Sequence, residues 1–377
     1  MARDLGRHQV PIQLFDFDAS RPAAATRYRL RRTGFTRVTD EAHLVDELIA
    51  FGGRLSLPPV LFPTSDAMVL TVAKHRAELE KHYRIPASLA PGTVESFVDK
   101  RTFSNLCRRH GIAAPRTAFH ASPEDLLAAA VEFQFPLILK PATGHLWHAR
   151  LKGAKLLVLH SLEELREALS RFGADAGEFM LQELVPGDES NIWVAGVYIK
   201  ADGTVGACFT GRKLRQHPPD FGSASLAESC LNEEIERLSL DLLSALGFRG
   251  ICGTEFKYDA RDDTFKIIEI NQRQTLWFGL IAASGIDINY LAYCDLAGLP
   301  CEQAAPQQDG VKWAYLEKDL LSALHFLRGG RLTVRQWLGS LRGIRTHAVM
   351  SLSDPLPFLL SPRYYLSRLL SRRKSAS

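Results

Sequence analysis

The stretch from Thr254 to Arg273, TEFKYDARDDTFKIIEINQR, constrains this chain more than any other part of it. Gly250 to Tyr258 alternates apolar and polar residues, Asp259 to Asp263 is a turn cluster, and Thr264 to Asn271 resumes a β-type run. With the turn centred on Asp262, Glu255 falls opposite Glu269, and Asn271 shares their face because strand side chains repeat every two residues. Directly opposed side chains lie roughly 4.5–5.5 Å apart at Cβ, where like charges repel. Two carboxylates so placed ask for a cation between them, and hard carboxylate and amide oxygens suit Mg²⁺. The same alternation puts Phe256, Tyr258, Ile268 and Ile270 on one face, and Phe265 and Ile267 on the other with the acids. A hairpin apolar on both faces is expected to be covered on both, and carboxylates buried there need partners. The alternative, a solvated surface hairpin, fits those apolar flanks less well.

At 377 residues the chain is long enough for two or three domains. Its 46% hydrophobic and 23% charged residues are those of a soluble globular protein. The net charge is only +4, and much of the basic excess sits in Arg363, Arg368, Arg372, Arg373 and Lys374, which argues against a nucleic-acid-binding surface. Cysteines 107, 208, 230, 252, 294 and 301 form no C-x-x-C pair, so neither a disulfide framework nor a zinc site is indicated, and a reduced, cytoplasmic setting is expected. No apolar run approaches the roughly 18 residues of a membrane-spanning helix. The opening MARDLGRHQV is too polar for a signal peptide.

Along the chain, strands are predicted at 10–15 and in LSLPPVLFPTSD, with helices at 41–50 and 66–83, giving a small parallel α/β unit. Such a unit usually opens on a strand, whereas this chain begins on what reads as the tail of a helix, so its first strand is expected to be missing. A helix from Lys100 to His110 follows, with Asp99 as N-cap and Gly111 as stop. Then come strands at 116–119, 135–140 and 155–159 and helices at 123–132 and 161–172. FMLQELV, NIWVAGVYI and VGACFTGRKL read as three antiparallel strands, before a helix at 232–246 and the hairpin. From about 302 a Gln-rich linker leads to a basic, Leu- and Arg-rich tail.

Several residues outside the hairpin carry chemistry. Lys100 lies in the first turn of a helix, where a cation opposes the dipole; it is either an exposed lysine or a phosphate ligand. Lys140 ends an apolar strand, halted by Pro141, beside the glycine-punctuated loop 142–153, and strand ends opening into loops are where α/β proteins hold ligands. His145 and His148 in that loop lack helical i, i+4 spacing and a third ligand, so a metal site there is disfavoured. QELVPG (182–187) is a strand running into a Pro-Gly turn, whose backbone groups can read an adenine. Asp188 and Glu189 behind it are either ribose ligands or ordinary turn acids. Arg212, Lys213 and Arg215 form either a solvated edge strand or a cationic clamp for phosphates and a carboxylate.

In order, DK (99–100), ILKP (138–141), QELVPG (182–187), GRKLR (211–215), TEF (254–256) and EINQR (269–273) resemble the motifs of the ATP-grasp enzymes, over about 96–300. Within that superfamily the chain is most similar to carboxylate–amine ligases near D-aspartate ligase, and more distantly to carbamoyl-phosphate synthetase and biotin carboxylase. The resemblance implies an α/β and α+β chain: two α+β subdomains that clamp ATP (96–300, hinge near 182–187). A small, N-terminally incomplete parallel α/β domain (1–95) precedes them, and a linker with a basic extension (301–377) follows. It implies that Lys100 and Lys140 hold the ATP phosphates, and that Gln182, Glu183, Leu184 and Val185 form the adenine hinge, with Glu189 on the ribose. Glu255, Glu269 and Asn271 would hold two Mg²⁺ ions, for which Mn²⁺ can substitute. Arg273 would stabilise the phosphorylated intermediate and Lys213 would lie near the γ-phosphate.

The implied reaction is ADP-forming carboxylate–amine or carboxylate–thiol ligation through an acyl phosphate, on small-molecule substrates. The loop after Lys140 lacks the Gly-Ser-rich pattern of many relatives, so its contacts are unassigned. Two alternatives belong to other classes. One is a non-catalytic ATP-binding regulatory module. The other is an assembly protein held at the inner face of the membrane by residues 360–377, where Tyr365, Leu366, Leu369 and Leu370 can share one side of a helix.

Overall fold

The computed structural model describes residues 1–119, 122–141, 156–172, 179–300 and 304–374. The loop residues 142–155, with His145 and His148, lie outside the described residues. Near the N-terminus, β1 (Leu14–Asp16) and β2 (Phe35–Arg37) pair in parallel. The helix Glu41–Gly52, capped by the Asp40 carboxylate on the His43 N–H, buries Leu44, Val45 and Leu48 against Val69, Val72 and Leu79. The expected strand near 60 is reduced to a single parallel bridge, Val60 to Arg84. The expected helix 66–83 is two helices, Asp66–Lys74 and Arg76–Leu79, because His75 leaves helical geometry.

Next come β3 (Thr117–Phe119), β4 (Leu137–Pro141), β5 (Leu157–Leu159) and β6 (Phe179–Glu183), an antiparallel sheet in the order β3-β6-β4-β5. Leu137, Leu139 and Leu181 alternate onto the face covered by the helices Pro123–Ala130 and Leu162–Phe172. Period two then sends Ile138, Lys140, Met180 and Gln182 to the opposite face.

The larger sheet holds β7 (Ile192–Ile199), β8 (Val205–His217), β9 (Ser223–Ser229), β10 (Gly250–Asp259), β11 (Thr264–Asn271), β12 (Lys312–Ala314) and β13 (Ile344–His347). Its order is β11-β10-β7-β8-β9-β12-β13. One face packs on the helix Glu233–Ala245 through Val197, Cys252, Phe256 and Ile267, and the other on Trp277, Phe278 and Ile281. Two features differ from the expectation. β6 and β7 are not neighbours: both edges of β6 are taken by β3 and β4, so the chain passes from one sheet to the other between 184 and 191. Residues after 304 are also more than a tail. β12 pairs β9 and buries Trp313 at 1% exposure, and the Arg215 guanidinium grips Asp319 of the helix Leu316–Arg328 with contacts of 2.8 and 3.1 Å.

The C-terminal helix, Leu356–Lys374, turns Tyr365 onto the core, where its hydroxyl meets that of Tyr315. The side chains of Leu366, Leu369 and Leu370 lie outside the described residues. Among those described, no helix is long and apolar enough to cross a membrane.

Candidate active site

In the hairpin, Glu255 stands opposite Glu269 and Asn271 opposite Gly253. The three oxygen-bearing side chains therefore share one face. A bulge follows immediately: the pairing slips between Glu255 and Phe256, so Phe256 faces Ile267 and Tyr258 faces Phe265. The expected placement of Phe265 and Ile267 beside the acids is thus corrected. Ile268 is the extra residue, the Ile267 N–H turns to the carbonyl of Ala113 at 2.8 Å, and both apolar side chains join the core face. Lys257 and Lys266 stay opposite each other on the acid face.

The two acids differ in surroundings. Glu255 is 7% exposed and accepts from the Lys213 ammonium at 2.6 Å, with Gln216 Oε1 3.3 Å from the same nitrogen. Glu269 is exposed, and Asn271 is 7% exposed. Among the described residues, no group of three or more His, Cys, Asp or Glu forms a closed metal cage. Two carboxylates and an amide suit Mg²⁺, which keeps waters and substrate phosphates in its shell. The buried Glu255, already balanced by a cation, fits such a site.

Two lysines, Lys140 of the smaller sheet and Lys100 at the start of a helix, lie near each other. Lys140 Nζ donates to Gln182 Oε1 at 2.9 Å, and Gln182 Nε2 donates to Thr117 Oγ1 at 2.8 Å, so both lie on the face of that sheet away from its helices. Burial, then repulsion from Lys100, pushes the Lys140 ammonium down to about 7, partly offset by attraction to Glu269. Those two influences tie the lysine pair to the far acid of the hairpin. Lys100 starts the helix Lys100–Arg109, capped by Asp99 on the Thr102 N–H at 2.7 Å, and its ammonium reaches Pro141 O at 3.4 Å. Two lysines, one disfavoured by burial and by its neighbour, make a site that an anion would stabilise.

At the crossing between the sheets, the N–H groups of Glu183 and Leu184 already serve Arg116 O (3.0 Å) and Pro136 O (3.3 Å). Val185, 3% exposed, has an N–H with no hydrogen bond among the described residues, so a donor is left there for a ligand. Gly187 follows with φ +96°, a conformation that favours glycine, and its carbonyl accepts from Lys257 Nζ at 2.9 Å.

Glu189 has a structural task that its sequence did not reveal. Its oxygens accept the N–H groups of Asp220 (2.7 Å) and Gln216 (2.9 Å), and burial pushes its carboxyl up to about 7 despite those donors. A ribose contact would have to use the remaining lone pairs. The cationic clamp is narrower than its sequence suggests: Arg212 is paired with Glu228 at 2.6 Å and Arg215 with Asp319, so of the three only Lys213 meets the acids of the hairpin. Arg273 leaves β11 and lies within electrostatic reach of Glu269 and Glu255. Its Nε and Nη2 grip the Asp66 carboxylate at 2.6 and 2.9 Å. Nothing in the local pattern around Asp66 signals that contact, which spans 207 positions.

No family model matches the chain. It is 26% identical over 240 residues to the D-aspartate ligase of Enterococcus faecium (strain Aus0004), covering 61% of this chain and 56% of that protein. It is 28% identical over 199 residues to the carbamoyl phosphate synthase large chain of Deinococcus deserti, covering 49% of this chain and 18% of that one. The chain thus spans little more than half the length of the first relative and a smaller part of the second. Among solved structures, N5-carboxyaminoimidazole ribonucleotide synthetase from Thermus thermophilus superposes with a TM-score of 0.61 at 16% identity, over 81% of this chain and 77% of that one. The biotin carboxylase of Campylobacter jejuni, solved as a βγ-ATP complex, gives 0.62 at 16% identity, over 82% and 71%. The chain has the ATP-grasp fold, and its sequence relatives are ligases and synthases of that fold.

Proposed function

We propose that the chain is an ADP-forming ligase that activates a small carboxylate with MgATP and passes the acyl group to an amine or, in the alternative, a thiol. The observation that carries this reading is the pairing of Glu255 with Glu269, Asn271 beside them, and Lys140 and Arg273 electrostatically linked to the same acids. The likeness to D-aspartate ligase supports the carboxylate–amine class.

A carboxylate oxygen attacks the γ-phosphorus of ATP, the new O–P bond forms, and the bond to the β-phosphate oxygen breaks to release ADP. The amine nitrogen then attacks the acyl carbon, phosphate leaves, and a proton departs from nitrogen. Such phosphoryl transfer rests on positioning and charge neutralisation rather than on a side-chain nucleophile. Lys100 and Lys140 hold the phosphates and the 182–185 crossing takes the adenine, with Val185 N–H as donor. Lys213 and Arg273 balance charge that develops on the transferred group. Glu255, Glu269 and Asn271 would hold Mg²⁺, which when bound neutralises the β and γ oxygens.

Screening carboxylate and amine pairs for ADP release tests the reading. Release that requires both partners supports it. Nucleotide binding with no release from any pair in a broad panel favours a non-catalytic ATP-binding module.

A further inference from the structure

Three consecutive residues at the exit of β11 are each tied to the N-terminal unit. Gln272 Nε2 points at the carbonyls of Thr93 and Val94, both at 3.4 Å. Arg273 grips Asp66, the first residue of the helix Asp66–Lys74. Gln274 Nε2 donates to Asn289 Oδ1 at 2.7 Å, and Asn289 Nδ2 donates to Asp4 Oδ2 at 2.8 Å, all three side chains being buried. The middle member lies within electrostatic reach of Glu269 and Glu255.

A guanidinium has five N–H donors in a fixed plane. Asp66 takes one on Nε and one on Nη2, and the carbonyl of Gln274 takes one on Nη1 at 3.2 Å. Among the described residues two N–H groups are left without a partner, one on each terminal nitrogen, and the bidentate contact fixes the plane in which they lie. The Asp66 side chain is 60% exposed and that of Arg273 18%, so the acid is held at the surface while the guanidinium is directed inward.

We propose that Asp66 is a positioning residue for Arg273: the N-terminal unit sets the plane of this guanidinium so that its two remaining donors meet the phosphoryl group transferred from ATP. The proposal rests on the MgATP reading of the site. Asp66 touches neither nucleotide nor substrate, and acts through Arg273.

The test compares the affinities of MgADP and of the β,γ-imido analogue of MgATP, in the full chain, for the unaltered protein, Asp66→Ala, Asp66→Glu, Arg273→Ala and the double alanine variant. Their ratio isolates the γ-phosphoryl contact from the rest of the nucleotide. Asp66→Ala is expected to leave MgADP affinity unchanged and to weaken the imido analogue about tenfold, the scale of one charge-assisted hydrogen bond. Arg273→Ala should do the same, the double variant no more than either, and Asp66→Glu should recover part of the loss. A general structural role would weaken both nucleotides alike and would overturn the proposal. So would an unchanged ratio in Asp66→Ala or in Arg273→Ala. A ratio that rises in Asp66→Ala would also overturn it, showing that Asp66 competes with the phosphoryl group instead of directing the arginine toward it. If neither nucleotide binds the unaltered protein, the MgATP reading fails first, and with it the proposal.

Discussion

Glu255→Gln and Glu269→Gln remove the same charge from the same face of one hairpin, yet their effects on stability should differ widely. Glu255 is buried against the Lys213 ammonium at 2.6 Å, the two side chains being 9% and 4% exposed, while Glu269 is exposed. Breaking a buried pair from one side costs about 3–5 kcal/mol, because an uncompensated charge is left in a poorly solvated place. Glutamine keeps an oxygen that can accept from Lys213, and Gln216 stays 3.3 Å from the same nitrogen. The loss expected for Glu255→Gln is therefore at or below the lower end, about 2–3 kcal/mol. Glu269 is exposed, so solvent screens its attraction to Lys140 and Arg273, and its loss should change stability by no more than about 1 kcal/mol. Chemical denaturation of the Mg²⁺- and nucleotide-free protein reads the difference, and Lys213→Met in the Glu255→Gln background should recover most of the loss. Equal stability of the two single variants, or no recovery in the double, would refute the reasoning. Both single variants are nevertheless expected to lower Mg²⁺-dependent turnover, since the proposed metal site uses both carboxylates.

Lys140, pushed down to about 7 by burial and by Lys100, makes nucleotide binding depend on pH. Phosphates favour its charged form, so binding takes up a proton above that pH. The dissociation constant of MgATP should be flat with respect to this group below 7 and rise about tenfold per pH unit above it, a slope that isothermal titration should find absent in Lys140→Arg. The same shift fixes the stability sign. The folded value lies below the ordinary 10.5, so the ligand-free protein gains stability as pH rises from about 7 toward 10.5, and Lys140→Met should stabilise it most below 7. Deleting residues 360–377 should lower the melting temperature, because Tyr365 and Ser361, which contact Tyr315 and Glu317, are lost. Sedimentation with anionic vesicles that disappears on that deletion would establish a membrane-facing side for the same helix.

The parts of the site legible in the sequence are those set by local periodicity. The opposition of Glu255 and Glu269 follows from counting through a turn, Asp99 from the preference for acidic N-caps, and Lys140 from an apolar run stopped by proline. The bulge after Glu255 carries no glycine or proline to announce it, so Phe265 and Ile267 could not be assigned to the right face by alternation. Pairing across the chain is less legible still. Nothing in FMLQE says that both its edges are occupied, and neither Arg215 with Asp319 nor Arg273 with Asp66 leaves a periodic trace. Those contacts decide which cations near the hairpin are free to meet a ligand and which anchor the fold.

The central claim is that the γ-phosphoryl group of ATP moves onto a carboxylate. Once the ADP-release screen has selected a substrate pair, a carboxylate labelled with ¹⁸O in both oxygens tests that claim most directly. The released phosphate should carry one labelled oxygen, transferred when the acyl phosphate breaks at carbon, and Glu269→Gln should release it more slowly with the same label. Phosphate free of label, with amide formed in equal amount, would contradict it.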